Sequence, residues 1–473
     1  MKKQFTKIPK KIQSKRDPKE RVNDFEPVYK EFTPEEANEQ AARCITCPID
    51  MLRGLESEFS FCRTGCPLNN YIPEWIRETK KGNIKKAFEL SNITSPFPEI
   101  LGRVCPQDNL CQGACTIAKT EHGSVAIGAI EVFLNEEAFK QGLKPYYGED
   151  KKKKKRVAVI GSGPAGMSCA TFLLRGGAHV EMFEKADRPG GLLTYGIPNF
   201  KIDKSVIFRR FEWMQNAGLK LHLNHPVLKE ADFEKIVDEF DAVFIGVGAP
   251  SGRGARMENE NANGVYHVMD VLTHAQKRVF HDFDECILKD KKVVVIGGGD
   301  SAMDAVRTSV RSGAKKVTCV YRRDEANMPG SKKEVVNAKE EGVNFMFYTA
   351  PKAVKVDEDN NVVGIVCQKT ELGEPDSSGR RRVQVVDGSD FEIACDIIIL
   401  ALGFDNVKFP WYEHAGIETD KWGCPQVNEK KQTTNPKVYA GGDAVRGADL
   451  VVTAARDGRD AAEAILEELG LKD

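Results

Sequence analysis

Arg156–Gly166 reads RVAVIGSGPAG, and the fold follows from how that stretch is laid out. Val157–Ile160 is a short apolar run suited to a strand buried on both faces. Gly161, Ser162, Gly163, Pro164, Ala165 and Gly166 then form a G-x-G-x-x-G turn, and MSCATFLL continues at helical spacing. Strand, glycine turn and helix in that order make the phosphate-binding unit of a dinucleotide fold. The glycines let the backbone approach a pyrophosphate, which rests on the positive end of the helix dipole. Glu184 lies 18 residues past Gly166, at the end of the next apolar strand (HVEMFEK), where an acid accepts hydrogen bonds from a ribose; Lys185 follows it.

Working outward, Gly190–Pro198 (GGLLTYGIP) is too rich in glycine for a regular element. It is expected to be a loop beside the cofactor, with Gly191, Leu192 and Gly196 in contact. DAVFIGVGAP (241–250) closes the first lobe. A second fingerprint stands at Lys292–Met303, KVVVIGGGDSAM, where Gly297, Gly299 and Ala302 fill G-x-G-x-x-A, with Gly298, Asp300 and Ser301 between and beside them. Its following strand ends in Arg322 and Arg323 instead of an acid. Guanidinium groups there accommodate a 2′-phosphate, which predicts NADPH, and Lys332 and Lys333 extend the same positive field.

ACDIIILALGF (394–404) ends the second lobe, and residues 438–462 return to the first. There Gly442 and Asp443 form a turn suited to the sugar-alcohol chain of a flavin. The helix beginning near Leu450, with Thr453 in its first turn, points its dipole at the flavin's pyrimidine edge. One nucleotide lobe inserted in another describes a two-dinucleotide flavoprotein, with FAD in the first and NADPH in the second. No cysteine pair lies near either fingerprint, which argues against a disulfide reductase, and no nucleophile motif is present. Hydride transfer between stacked cofactors needs no catalytic side chain, and none is assigned.

Seven of the 13 cysteines fall between residues 44 and 115 and mark a separate, mainly helical module. Thr33-Pro34-Glu35-Glu36 is a capping box that opens a helix running to about Arg43, which delivers Cys44 just past its end. Cys44 and Cys47, then Cys62 and Cys66, then Cys105, Cys111 and Cys115 have the close spacings of [4Fe–4S] ligands; two structural zinc sites are the alternative. Seven thiolates fall one short of two clusters. Glu131 is available as the eighth ligand, though from the residues alone it reads as a surface acid of a helix.

The 473 residues suit about three domains, and a net charge of −1 excludes nucleic acid or an anionic membrane as the main partner. No apolar window is long enough to span a bilayer, and thirteen cysteines without a secretion signal suggest a reducing cytoplasm. Residues 1–22 carry nine Lys or Arg against two acids, and Lys151–Lys155 form an unbroken run. The first stretch is read as a solvated arm, with docking onto an acidic partner as the sharper alternative.

GRVCPQDNLCQGAC (102–115), GGGDSAMDAVRTSVRSGAKKVTCVYRRDEANMPGS (297–331) and AGGDAVRGADLVVTA (440–454) carry a family resemblance. From about residue 25 onward the chain resembles the small (beta) subunit of bacterial NADPH-dependent glutamate synthase, within a wider family that includes dihydropyrimidine dehydrogenase. The resemblance implies FAD, NADPH and two [4Fe–4S] clusters. It also implies a large (alpha) FMN-bearing partner in a hetero-oligomer, which makes L-glutamate from L-glutamine and 2-oxoglutarate. By the same resemblance Cys44, Cys47, Cys62 and Cys115 hold one cluster, and Cys66, Cys105 and Cys111 the other, with Glu131 where the dehydrogenase has Gln. The family separates its second and third cysteines by only a few residues, whereas 14 lie between Cys47 and Cys62, which predicts a loop over MLRGLESEFS (51–60).

The expected architecture is α/β: two Rossmann-like dinucleotide-binding domains preceded by a mainly α-helical iron–sulfur domain. Its boundaries are 1–150 (iron–sulfur), 151–252 (FAD, first part), 253–404 (NADPH) and 405–473 (FAD, second part). Two alternatives keep other roles open: a ferredoxin-linked, bifurcating NAD(P)H oxidoreductase subunit, and a non-catalytic zinc and nucleotide scaffold.

Overall fold

The computed structural model describes residues 4–47, 60–151, 155–375 and 381–472. Most of the loop expected over 51–60 and of the lysine run lies outside these residues. Two five-stranded parallel sheets organise the rest. The first runs in the order Val438–Ala440, Ala242–Ile245, Arg156–Ile160, His179–Phe183, Lys220–His222. The second runs Val265–His267, Ile397–Leu400, Lys292–Ile296, Lys316–Val320, Asn344–Met346. In each, the fingerprint strand is the middle one. The strand that follows it in sequence lies on one side and a later strand on the other. Sheet growth therefore reverses at that strand, which opens a crevice at the carboxyl ends where nucleotides bind.

The strand Val438–Ala440 and the helix Val451–Glu468 belong with the first sheet although they follow the second in sequence. That helix packs on the fingerprint helix Pro164–Gly176 through two glycines. A Cβ on Gly458 would lie 2.0 Å from the Ala165 carbonyl oxygen, and one on Gly176 would lie 2.3 Å from Leu466. The two chain crossings between the sheets run together as an antiparallel ribbon, Ser251–Gly252 against Phe404–Asp405. An antiparallel meander spanning Thr349–Val356, Val362–Pro375, Arg381–Val385 and Phe391–Ile393 is attached to the second sheet and has no counterpart in the sequence reading.

The cysteine-rich segment is helical: Pro34–Ala42, Ile72–Lys80, Ile84–Thr94, Pro98–Val104 and Ile127–Lys140. Both arms of the Thr33–Glu36 capping box are formed, and the helix ends at Arg43, one residue before Cys44. Ile72–Lys80 and Ile84–Thr94 are separate helices because Lys81-Gly82-Asn83 interrupts them, with Gly82 at φ +78°. Trp75, Ile76, Ile130 and Leu134 fill the core between these helices.

The solvated-arm reading of the first 22 residues is corrected. Arg16 N–H donates to the Val28 carbonyl (3.0 Å) and Lys30 N–H to that of Ser14 (2.9 Å), so the arm folds back on itself. Arg21 is fully buried against Glu340 and Glu341. Lys15 and Arg21 meet acids more than 300 positions away, at Glu340 and Glu341, while Lys11 pairs with Glu36 and Arg16 with Asp24.

Candidate functional site

In the first fingerprint, Gly161 has φ +95° and a Cβ there would lie 2.5 Å from the Gly246 carbonyl oxygen. A Cβ on Gly166 would fall 1.9 Å from the Gly161 oxygen. Gly163 differs, since a Cβ there meets nothing within 4 Å. The protein's own packing does not demand glycine at this position, which opens at the first turn of the helix Pro164–Gly176. The space fits a closely approaching pyrophosphate. Glu184 is buried and accepts from Ser162 N–H (2.9 Å), Ser162 Oγ (2.5 Å) and Ala186 N–H (2.8 Å). Ser162 Oγ in turn accepts from Gly190 N–H at 2.9 Å, which ties the turn to the glycine loop. Gly191 (φ +54°) comes so close that its Cβ would lie 2.9 Å from Gly163 Cα. Lys185 is exposed beside this network.

Asp443 follows Gly442 (φ +69°), and burial pushes its carboxyl up to about 7. Asp457, on the C-terminal helix and fully buried, holds that turn: it accepts from Gly442 N–H (3.0 Å) and pairs with Lys431 (2.9 Å) and Arg446. Thr453 donates to the Leu450 carbonyl at 2.7 Å, within the first turn of its helix.

The second fingerprint repeats the first. Gly297 (φ +148°) sits where a Cβ would be 2.3 Å from the Ala401 oxygen, and Gly299 faces open space. A Cβ on Gly298 would strike the Tyr321 ring at 2.5 Å. Asp300 accepts from Ser331 N–H (2.9 Å), and Gly330 N–H donates to the Gly298 carbonyl (3.1 Å), so residues 330–331 are tied to the turn; Ser301 continues the helix that Asp300 opens. Arg322 is exposed and Arg323 half-buried, and among the described residues neither has a carboxylate partner. The Arg323 Nε is buried without a hydrogen bond.

Between the two lobes lies a cleft lined from both. Leu192, Gly196 and Lys201 come from the first lobe; Asp300, Ser301, Asp304 and Lys333 come from the second. Val28 and Tyr29 of the N-terminal arm, and Val451 and Val452 of the last helix, complete it. Lys201 crosses between the lobes to Asp304 at 2.8 Å, and that carboxylate holds the ammonium above the usual lysine range despite its burial. Lys204 donates to the carbonyls of Leu193 (2.9 Å) and Ile197, and burial lowers it to about 7. It therefore pins the glycine-rich stretch that borders the cleft, where the expected loop is corrected: Leu192–Tyr195 forms one helical turn between Gly191 and Gly196.

The cysteines divide between two further spaces. Cys44, Cys47, Cys62 and Cys115 line one; Cys66, Cys105, Cys111 and Glu131 line the other. Among the described residues, no group of three or more His, Cys, Asp or Glu is placed to share one metal ion. The donors surround a space instead, as a compact cage requires. Burial pushes the thiols of Cys44 to about 11 and Cys62 to about 12, and raises those of Cys66, Cys105 and Cys111 as well. Burial, with Glu99 adding to it, pushes Glu131 to about 8, and its one hydrogen bond comes from Asn70 Nδ2 at 3.3 Å. Glu131 is thus no surface acid: the helix Ile127–Lys140 aims it into the cage. A buried carboxylate without a cation is costly, and a metal cluster would relieve it.

Ser162, Lys201, Lys204, Asp304 and Asp457 escape the sequence reading as site residues in these roles. Lys201 and Asp304 meet from positions 103 apart, whereas Lys204 and Asp457 hold backbone groups 7 to 15 residues away that no local pattern pairs with them.

A family model described as pyridine nucleotide-disulphide oxidoreductase matches residues 155–458. One described as dihydropyrimidine dehydrogenase domain II, 4Fe-4S cluster, matches residues 21–143. The glutamate synthase [NADPH] small chain of Escherichia coli (strain K12) is 42% identical over 475 residues, covering 98% of each chain. That of Azospirillum brasilense is 40% identical, covering 98% of this chain and 95% of the relative. The putative oxidoreductase AegA of E. coli (strain K12) is 47% identical over 96% of this chain and 68% of its own length. Among solved structures, Mycobacterium tuberculosis FprA in complex with NADPH superposes with a TM-score of 0.56 at 21% identity, covering 67% of this chain and 85% of that one, a likeness of fold. FAD, NADPH and a [4Fe–4S] cluster are the cofactors that these matches support, and the zinc scaffold gives way to them. No helix among the described residues is long and apolar enough to cross a membrane.

Proposed function

The chain belongs to the family of NADPH-dependent flavin and iron–sulfur oxidoreductases that includes the glutamate synthase small chains, and from that premise we propose that it is the electron-input subunit of such a synthase. The observation that carries this reading is that its three spaces share walls in series. Cys105 and Val452 line both the nucleotide cleft and the Glu131 cage. Ile72 and Ile127 line both the Glu131 cage and the Cys44 cage. When bound, NADPH supplies a hydride, FAD converts it to single electrons, and [4Fe–4S] clusters relay them.

The chain's residues prepare that relay. Gly163 and Gly299 open the backbone to the two pyrophosphates, and Asp443, on the turn that Asp457 holds through Gly442 N–H, faces the flavin's sugar chain. Arg322 and Arg323 receive the 2′-phosphate. The Lys201–Asp304 pair joins the lobes inside the cleft so that two rings stack and water is excluded. Cys44, Cys47, Cys62 and Cys115 hold one cluster, and Cys66, Cys105, Cys111 and Glu131 a second. In this reading the domains divide as expected, at 150, 252 and 404. The protein works in the cytoplasm as part of a hetero-oligomer with a large FMN-bearing subunit that makes L-glutamate.

Mixing the purified chain with such a subunit tests this. NADPH, glutamine and 2-oxoglutarate should give glutamate carrying the carbon skeleton of 2-oxoglutarate in the mixture and none of it with either chain alone. Such glutamate from the single chain, or none from the mixture, overturns the assignment. The greater identity to a putative oxidoreductase favours a second reading, with the same input chemistry and another acceptor. NADPH-dependent reduction of ferredoxin, without glutamate formation, would select it.

A further inference from the structure

The segment Ser14–Tyr29 lies between the two nucleotide lobes and is bonded to both. On the flavin side, Val28 N–H donates to the Phe200 carbonyl at 3.0 Å and Asn199 Nδ2 to that of Phe25 at 3.1 Å. On the NADPH side, Arg21 Nε donates to Glu341 (2.7 Å), its Nη2 to Glu340 (2.8 Å), and Asn337 Nδ2 to Tyr29 Oη (2.9 Å). Glu341 also receives Arg307 and Arg311, whose guanidinium groups stack on the Phe200 ring at 4.5 and 4.1 Å. The far end of the segment, Val28 and Tyr29, forms cleft wall.

A ribbon of two short crossings, such as Ser251–Gly252 with Phe404–Asp405, leaves the angle between the lobes weakly determined. Lys201–Asp304 braces the cleft, and Arg188–Asp282 (2.6 Å), with Tyr195 and Phe208 against the Phe280 ring, ties the lobes at a second point. The segment adds contacts to both lobes and buries a guanidinium among carboxylates, a bond that is strong only in one geometry. We propose that Ser14–Tyr29 is an intramolecular clamp, anchored by Arg21, that fixes the angle between the nucleotide lobes so that nicotinamide and flavin meet in register. Arg21 is then a positioning residue for hydride transfer, remote from the reacting atoms.

The test uses the full-length holoenzyme carrying Arg21→Gln. Flavin and iron contents should stay at wild-type levels, while the limiting rate of flavin reduction at saturating NADPH falls by about 10- to 100-fold. The NADPH dissociation constant should move much less than the rate. The long-wavelength charge-transfer absorbance between nicotinamide and flavin should weaken, which a loss of folded protein alone would not produce at constant flavin content. Arg21→Lys, which restores the charge without the planar fork, should recover part of the rate.

An unchanged limiting rate and absorbance in Arg21→Gln overturns the clamp. If that variant instead loses its flavin or iron, the double variant Asn199→Ala, Tyr29→Phe decides, because it breaks neutral hydrogen bonds on each side and leaves the ion cluster intact. A smaller fall in rate with full cofactor content upholds the proposal, and a wild-type rate overturns it.

Discussion

Gly163 and Gly166 are three residues apart and are glycines for different reasons. Gly166 is packed against the chain itself, at 1.9 Å for a Cβ against the Gly161 oxygen, whereas a Cβ on Gly163 meets nothing within 4 Å. Gly166→Ala should lower the stability of the apoprotein by about 1–3 kcal/mol through overpacking. Gly163→Ala, at φ −63°, should leave apoprotein melting unchanged and weaken FAD binding at least about tenfold, which titration of the apoprotein with FAD would measure. At the NADPH end, replacing Arg322 and Arg323 with alanine should raise the NADPH KM by about 10- to 100-fold with much less effect on NADH, because a charge-assisted phosphate contact is lost. Equal losses for both nucleotides would remove the 2′-phosphate assignment. The fingerprint turns themselves are legible in sequence because strand, glycine turn and helix fall within one short motif. Asp457 is not: its role depends on facing Gly442 across a turn, and nothing around it in sequence separates it from other acids of a surface helix.

Elements were legible where their determinants are local. The Thr33 capping box and the fingerprint strands and helices follow from residues within one or two turns of each other. The basic arm was misread because the acid that receives Arg21 stands 320 positions away, on the turn after the helix Lys332–Glu340. At Glu341, burial pushes the carboxyl upward, but Arg307 and Arg311 outweigh it and hold it down to about 2. A carboxyl depressed in the folded state gives its stabilisation in full above its ordinary value of 4.5 and loses it as pH falls toward about 2. Glu341→Gln should therefore cost about 3–5 kcal/mol near neutral pH, where it strands buried guanidinium groups. The same variant should show a shallower loss of melting temperature across the acid range than the wild type, in melts recorded as a function of pH. A parallel acid limb in both proteins would mean that other carboxylates set it.

At the scale of the whole molecule the order of the three spaces matters more than any one of them. Composition and cysteine spacing announce the cages and the nucleotide lobes separately, but adjacency comes only from folding. Cys105 on one side and Val452 on the other place the Glu131 cage against the cleft, and Ile72 and Ile127 place it against the Cys44 cage. The cleft shares no lining residue with the Cys44 cage. If current must pass through the middle space, damage there should separate the two ends of the molecule. Cys111 lines only that middle space, so Cys111→Ala leaves the cleft and the Cys44 cage with all their lining residues. The variant should reduce its flavin with NADPH at close to the wild-type rate and keep activity with dyes that take electrons from the flavin. Reduction of the centre proposed for Cys44, Cys47, Cys62 and Cys115 should slow by orders of magnitude, followed by rapid-freeze electron paramagnetic resonance. Wild-type reduction of that centre would show that electrons leave the cleft by another route, and the serial arrangement would then have no part in the function.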